Sequence, residues 1–252
     1  MNERVMIVTG GSRGIGAATA RLGAKAGYAV VVNYASNEAA ANSVVAEIES
    51  AGGTAIAVKG DVGVEADIVA LFAAADKLGL LAALVNNAGV VDAVAPVAEM
   101  SADRLDRMFR INVIGSFLCA REAAKRMSTA RGGKGGAIVN LSSAAAKLGL
   151  GGSRVDYAAS KGAIDTFTVG LAKELAGEGI RVTAVRPGII ATDIHASGGE
   201  PGRVEEIAPT LPMQRAGTAD EVAKAILWLL SDEASYSTGT IIDVSGGRSI
   251  LP

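Results

Sequence analysis

The chain has 252 residues, 50% of them apolar and 20% charged, and 24 Lys plus Arg against 26 Asp plus Glu give a net charge of −2. That balance belongs to a globular chain, excludes an intrinsically disordered one, and provides no global field to draw nucleic acid or an anionic membrane. Long apolar stretches such as 78–85 and 225–230 fall far short of the roughly 20 residues that span a bilayer.

The first apolar run, 5–9, reads as a buried strand. Asn2, Glu3 and Arg4 lead straight into it, so no leader of charged and then apolar residues is expected. Thr9-Gly10-Gly11-Ser12-Arg13-Gly14-Ile15-Gly16 follows and opens a helical stretch, 14–26. Glycines at a strand-to-helix junction permit a tight turn and close backbone approach, and the free N–H groups at the helix start favour an anion such as a pyrophosphate. The spacing is not G-x-G-x-x-G, and no Lys-Ser or Lys-Thr follows the last glycine as it would in a P-loop.

The second strand, 29–33, ends at Asn33 and is followed by Tyr34, Ala35 and Ser36. A carboxylate at that position holds the ribose 2′-hydroxyl of NAD and repels the 2′-phosphate of NADP. Here the repelling charge is missing, Arg13 can reach a phosphate and Ser36 can donate to one. NADP is therefore the preferred cofactor expected, with NAD possible.

A helix over 38–50, a strand over 54–59 running toward Asp61-Val62, and a helix over 64–77 come next. The strand 83–86 runs into Asn86-Asn87-Ala88-Gly89, and a long helix, 102–127, holds Asn112 and Cys119 behind a Ser101 cap. Cys119 has apolar neighbours and reads as core packing. As the only cysteine it cannot form an internal disulfide, which fits a reducing cytoplasm, and with one histidine it leaves too few soft ligands for structural zinc. After the strand 137–141 stand Ser142 and Ser143, and the helix 155–176 carries Tyr157 and Lys161. The strand 181–186 is closed by Pro187-Gly188. Residues 191–216 are irregular and Gly/Pro-rich, and read as a lid over a substrate. A helix over 218–230, opened by the Thr218/Glu221 capping pair, and a strand over 240–244 complete the pattern. Near-continuous apolar strands alternating with helices predict one α/β domain over 1–252, a doubly wound parallel sheet covered on both faces.

Tyr157 and Lys161 are four residues apart, so a helix projects both from one face. A phenol is a poor base at neutral pH, and a neighbouring ammonium is expected to lower its pKa toward the working range. The pair can then exchange a proton with a substrate oxygen while hydride moves to or from carbon. Ser143 would hydrogen-bond that oxygen where charge develops. Ser142 is the competing candidate. His195, the only histidine, has no Gly-x-Ser-x-Gly elbow to serve, which disfavours a hydrolase. It reads as a lid residue near the substrate or an exposed one.

Thr9-Gly-x-x-x-Gly-Ile-Gly16, Asp61-Val62, Asn86-Asn-Ala-Gly89, Asn112, Ser142-Ser143, Tyr157-x-x-x-Lys161 and Pro187-Gly188 occur in order, from about Val5 to Gly247. Together they resemble the short-chain dehydrogenase/reductase family, in particular its glucose-dehydrogenase-like and 3-oxoacyl-carrier-protein-reductase-like members. The resemblance implies a Rossmann sheet in the order 3-2-1-4-5-6-7 and commonly a homotetramer. It implies a cofactor held by Gly10, Ser12, Arg13, Gly14, Ile15, Gly16, Asn33 and Ser36 on one side. Asp61 and Val62 would face the adenine, Asn87, Ala88 and Gly89 the adenine ribose, and Tyr157, Lys161, Pro187, Gly188, Ile190 and Thr192 the nicotinamide end. Asn112, Ser143, Tyr157 and Lys161 would be catalytic, with Asn112 disturbing its helix and anchoring a water that links Lys161 to solvent.

One residue more than the family usually has separates Ser143 from Tyr157, and the extra position is assigned to 147–153. The substrate side is then walled by 144–156 and 194–215, with Lys147, Arg154, His195, Glu200 and Arg203 as possible polar contacts to a small alcohol or carbonyl substrate. A non-catalytic dinucleotide sensor on the same fold is the competing reading; it would be expected to lack Tyr157, Lys161 or Ser143. Nucleotide-sugar epimerases and dehydratases carry a substantial C-terminal substrate region, whereas here little sequence follows the last strand.

Overall fold

The computed structural model describes residues 3–193 and 198–250. Its strands are β1 (Glu3–Val8), β2 (Ala29–Tyr34), β3 (Ala55–Lys59), β4 (Gly79–Asn86), β5 (Gly136–Leu141), β6 (Ile180–Pro187) and β7 (Ile241–Val244). They form one parallel sheet in the order β3-β2-β1-β4-β5-β6-β7. The helices are α1 (Gly14–Lys25), α2 (Glu38–Ser50), α3 (Glu65–Asp76), α4 (Ala102–Phe109), α5 (Gly115–Met127), α6 (Ala145–Leu148), α7 (Val155–Leu175), α8 (Arg203–Ile207) and α9 (Ala219–Leu230).

The strands are predominantly apolar because helices cover both faces. Met6 and Val8 of β1 face a cluster with α1, α2 and α9 that includes Ala17, Val44 and Ile226. Val5 and Ile7 face the other way, onto Ile68 and Phe72 of α3, Cys119 of α5 and Leu175 of α7. Burial pushes the Cys119 thiol up to about 12, with Glu122 adding to the effect, so it is an inert core residue. β1 pairs with β2 on one side and β4 on the other, so the connections diverge there and leave a crevice at the strands' carboxyl ends.

The 102–127 stretch is not one helix. It is broken by a five-residue π turn, Arg110–Ile114, that separates α4 from α5. Gly115 follows the break: a Cβ on it would come within 2.8 Å of the Val62 carbonyl, so the start of α5 lies against the backbone after β3. β4 begins at Gly79, earlier than the apolar pattern indicates, because Gly79 and Leu80 pair with Glu3 and Arg4. The irregular 191–216 stretch contains α8 and is pinned at its base, where Ala191 N–H donates to the Gly217 carbonyl and Gly217 N–H to that of Ile189. Among the described residues no helix is long and apolar enough to cross a membrane.

Candidate active site

The glycine turn sits at the carboxyl end of β1. Gly10 and Gly14 adopt φ of +60° and +52°, the left-handed region that a side chain disfavours. A Cβ on Gly16 would lie 2.3 Å from the Gly10 carbonyl oxygen, so only glycine lets α1 close against the turn. No side chain caps α1, whose first-turn N–H groups are left for a ligand. Ile15 lines the cleft, Ser12 is partly exposed and Arg13 is exposed. A cradle that a methyl group would fill, beside an uncapped helix start, fits a dinucleotide pyrophosphate.

Asn33 lies behind this turn rather than in the cleft. It is 2% exposed; its Oδ1 accepts from Gly10 N–H at 3.2 Å and its Nδ2 donates to the Val58 and Gly60 carbonyls at 3.3 and 2.9 Å. Its amide is fully used in holding β1, β2 and β3 together, so its direct role toward a 2′-phosphate is replaced by one of shaping the turn. Ala35 and Ser36 are exposed just beyond it. Asp61 Oδ1 accepts from Gly63 N–H at 2.7 Å, which closes the turn after β3, and Val62 is buried.

At the end of β4, the Asn87 side chain donates to the carbonyls of Thr9 and Gly10, both at 2.9 Å. The Thr9 hydroxyl accepts the N–H groups of Asn87 and Ala88, both at 3.0 Å, so it ties the two loops together. Thr9 escaped attention as a site residue because its contribution is to loop geometry. Gly89 faces the interior, and a Cβ there would lie 3.3 Å from Asn112 Oδ1 and 3.5 Å from Lys161 Nζ. Asn112 sits in the π turn, where its Oδ1 accepts from Val90 N–H at 2.8 Å. Its Nδ2 donates to the Val90 carbonyl at 3.0 Å and to the Ser160 hydroxyl at 3.1 Å. It therefore clamps the β4 loop to α7.

The two serines after β5 point differently. Ser142 also borders the cleft, but it is buried and its hydroxyl is spent on the Lys161 carbonyl at 3.2 Å. Ser143 lines the cleft and hydrogen-bonds the Tyr157 side chain, while its Oγ accepts from Ala145 N–H at 3.1 Å. The start of α7, which presents Tyr157, is fixed by Asp156, whose Oδ2 accepts from Arg104 Nε at 2.8 Å. Burial opposes ionisation there, yet the Arg104 bond holds the Asp156 carboxyl below its ordinary range.

Lys161 is 5% exposed, its Nζ donates to the Leu141 carbonyl at 2.7 Å, and it lies 5.8 Å from the Tyr157 ring centre. Burial lowers its pKa to about 8, with the Asp165 charge partly opposing. The expectation that this ammonium depresses the phenol is not met. Tyr157 is raised above its ordinary value, chiefly by burial, while the Ser143 hydrogen bond and the Arg154 charge pull it down. The physical reason is that burial of the phenol dominates, while the ammonium, 5.8 Å from the ring centre, is engaged with the Leu141 carbonyl.

Pro187, Gly188, Ile190 and Thr192 line the same cleft. A Cβ on Gly188 would lie 2.7 Å from the Ser245 carbonyl, so the ends of β6 and β7 approach closely there. Thr192 packs over Gly14, its methyl 3.2 Å from where a Cβ would stand. Of the suggested polar contacts, Lys147 is turned to Asp243 at 2.7 Å, and His195 lies outside the described residues. Arg154 is 4% exposed: its Nε donates to the Asp92 carbonyl at 2.7 Å, and its Nη1 lies 2.6 Å from Glu200 Oε2. It thus joins the β4 loop to the segment before α8. Arg203 and Arg248 also line the cleft. Arg248 gave no sequence signal, being one charged residue in a Gly-Gly-Arg-Ser turn after the last strand.

A family model described as enoyl-(acyl carrier protein) reductase matches residues 10–249. The chain is 56% identical over 245 residues to an uncharacterized oxidoreductase, YgfF, of Escherichia coli K12, covering 97% of this chain and 99% of that protein. It is 37% identical over 253 residues to glucose 1-dehydrogenase 2 of Bacillus subtilis, covering 100% of this chain and 97% of the relative. The crystal structure of a dehydrogenase/reductase from Sinorhizobium meliloti superposes with a TM-score of 0.91 at 31% identity, covering 99% of this chain and 96% of that one. With its sheet order, glycine turn and Ser-Tyr-Lys cluster, the chain belongs to the short-chain dehydrogenase/reductase family of oxidoreductases.

Proposed function

We propose that this protein is an oxidoreductase that interconverts a secondary alcohol and a carbonyl with NADP, accepting NAD less well. The observation that carries the reading is convergence: Ser143, Tyr157 and Lys161 meet at the carboxyl edge of β5, in a cleft that continues to Ile15 of the glycine turn. The Gly10–Gly16 turn and the uncapped start of α1 would hold the pyrophosphate, Asp61 and Val62 the adenine, Asn87, Ala88 and Gly89 the adenine ribose, and Pro187, Gly188, Ile190 and Thr192 the nicotinamide end. Preference for NADP is supported by an end of β2 without a carboxylate and by the exposed Arg13 beside it.

When bound, the cofactor supplies or accepts hydride at its nicotinamide ring. The protein's own residues handle the proton and the charge. In the reducing direction the Tyr157 hydroxyl donates its proton to the substrate oxygen as that oxygen gains negative charge. Ser143 directs a second hydroxyl to the same oxygen, which fixes the carbonyl and spreads the charge. The phenolate left on Tyr157 is stabilised by the Ser143 hydrogen bond and the Arg154 charge, the two influences that oppose its burial. Lys161, largely protonated at neutral pH, stands within the same enclosure as a proton reserve. Asn112 keeps the β4 loop against α7 and so keeps Gly89 open beside Lys161.

The chain reads as a single domain with residues 191–216 as its lid. Phe117 of α5, 47% exposed, stacks on Phe167 of α7 with centroids 3.7 Å apart. This exposed aromatic face of α5 and α7 supports assembly with further copies of the chain, as a homotetramer. The direct test of function is the loss of reduced-cofactor absorbance with NADPH and NADH across ketones, sugars and 3-oxoacyl thioesters. Turnover of at least one carbonyl class, faster with NADPH, is expected. Cofactor binding without turnover of any of them would favour a dinucleotide sensor.

A further inference from the structure

Arg154, Arg203 and Arg248 face the cleft that holds Ser143 and Tyr157, and no Asp or Glu is among its described lining residues. Their close counter-charge is Glu200, whose Oε2 lies 2.6 Å from the Nη1 atoms of both Arg154 and Arg203. Arg154 and Arg203 therefore share one carboxylate. The Arg248 guanidinium has no hydrogen-bond or ion-pair partner among the described residues, and after burial the strongest influence on it is repulsion from Arg203.

Nearby cations are treated differently. Lys147 pairs with Asp243 at 2.7 Å, and Arg186 with Asp165 at 2.9 Å. The protein thus neutralises the cations around the cleft and leaves positive charge inside it. Arg203 shares Glu200 with Arg154 and Arg248 adds a further like charge, so the cluster carries more positive than negative charge, and an anion between Arg203 and Arg248 offsets that repulsion.

The position argues for substrate rather than cofactor. Arg203 begins α8, and Arg248 follows β7 in a segment touched by α6, where Lys147 Nζ donates to the Ser249 carbonyl at 3.5 Å. The anion cradle of the cofactor lies at the other end of the cleft, at Gly10–Gly16.

We infer that the substrate is a carbonyl or hydroxy compound bearing an anionic oxyacid group, a carboxylate or a phosphate, seated between Arg203 and Arg248 while its reacting carbon faces Ser143 and Tyr157. The inference rests on the oxidoreductase reading of the site. Guanidinium forks suit both oxyacids, since each offers two oxygens to parallel N–H donors.

The test compares matched ketone pairs under saturating NADPH: 4-oxopentanoate with 2-pentanone for the carboxylate, and dihydroxyacetone phosphate with dihydroxyacetone for the phosphate. The anionic member of one pair should have the higher kcat/KM, and the pair that shows it identifies the oxyacid. Arg248→Ala and Arg203→Ala should each cut that anionic-to-neutral ratio by roughly 10- to 100-fold through KM, the scale of a charge-assisted hydrogen bond, with Arg248→Lys restoring part of it. Equal or better turnover of the neutral members, or variants that leave the ratio unchanged, would overturn the inference while leaving the oxidoreductase reading intact. A rise in the KM for NADPH matching the loss for substrate would also overturn it, by giving the arginines to the cofactor. If no pair turns over, titration calorimetry of the NADP-bound protein with succinate and with inorganic phosphate decides. Binding that Arg248→Ala weakens at least tenfold supports the anion site, and no binding of either probe overturns it.

Discussion

Lys161 donates its ammonium to the Leu141 carbonyl at 2.7 Å, so the charge of the Tyr-x-x-x-Lys pair is anchored to the end of β5 rather than to the phenol. That anchoring and the burial around it have a measurable signature. Lys161 titrates near 8 in the fold against an ordinary 10.5 in an unfolded chain. Between those values the unfolded state binds the additional proton, so unfolding free energy gains a component that rises with pH; below the lower value both states are protonated and the component is flat. Denaturant titrations of wild type and Lys161→Met should therefore give a stability difference that moves in favour of wild type from about pH 8 upward. A difference flat throughout, or of opposite sign, contradicts the buried, depressed ammonium.

Ser143 and Ser142 separate in kinetics. Ser143→Ala removes a hydrogen bond that lowers the Tyr157 pKa, so the phenolate needed for alcohol oxidation forms only at higher pH. The alkaline-rising limb of kcat/KM should shift upward, and kcat should fall by about 10²–10³. Ser142→Ala removes a buried bond to the Lys161 carbonyl and should act mainly on stability, by about 1 kcal/mol. Reversal of these two phenotypes would exchange their roles.

Much of this was legible in the sequence, and the misreadings have physical causes. Strands such as β2 and β5 are near-continuous apolar runs because both faces are covered, which is a pattern the sequence alone can carry. The glycine turn was legible because Gly10, Gly14 and Gly16 are each demanded by backbone conformation or contact. The break between α4 and α5 was hidden, since a π turn adds a residue without changing the apolar character of the run. The environment of Tyr157 could not be read from a four-residue spacing, which gives the face of a helix but not the direction of an ammonium. Arg154 and Arg248 depend on contacts between segments far apart in the chain, Asp92, Glu200 and Arg203, that no local pattern announces.

Asn33 separates shape from cofactor choice. Asn33→Asp places a carboxylate against the Val58 and Gly60 carbonyls in a buried site and should destabilise the fold by about 1–3 kcal/mol in thermal or denaturant unfolding. Ala35→Asp puts the charge at the exposed end of β2 instead. It should raise the KM for NADP roughly five- to tenfold, the scale of one surface charge repulsion, with little effect on NAD. Equal effects on both cofactors would contradict recognition of the 2′-phosphate at this edge.

Arg104 positions the catalytic helix from a distance. Its guanidinium is the partner of the fully buried Asp156 carboxylate, one residue before Tyr157. Arg104→Ala leaves that carboxylate unpaired and should cost about 3–5 kcal/mol of stability by chemical denaturation. Loss of less than about 1 kcal/mol would show that the pair is dispensable.

The central claim is that the Tyr157 hydroxyl carries the proton that accompanies hydride transfer. Tyr157→Phe keeps the ring and deletes only that hydroxyl, so the decisive measurement is kcat for the best carbonyl substrate beside the Kd for NADPH from cofactor fluorescence. A fall in kcat of about 10²–10⁴ with Kd unchanged is the predicted result; turnover within a few-fold of wild type would contradict the account.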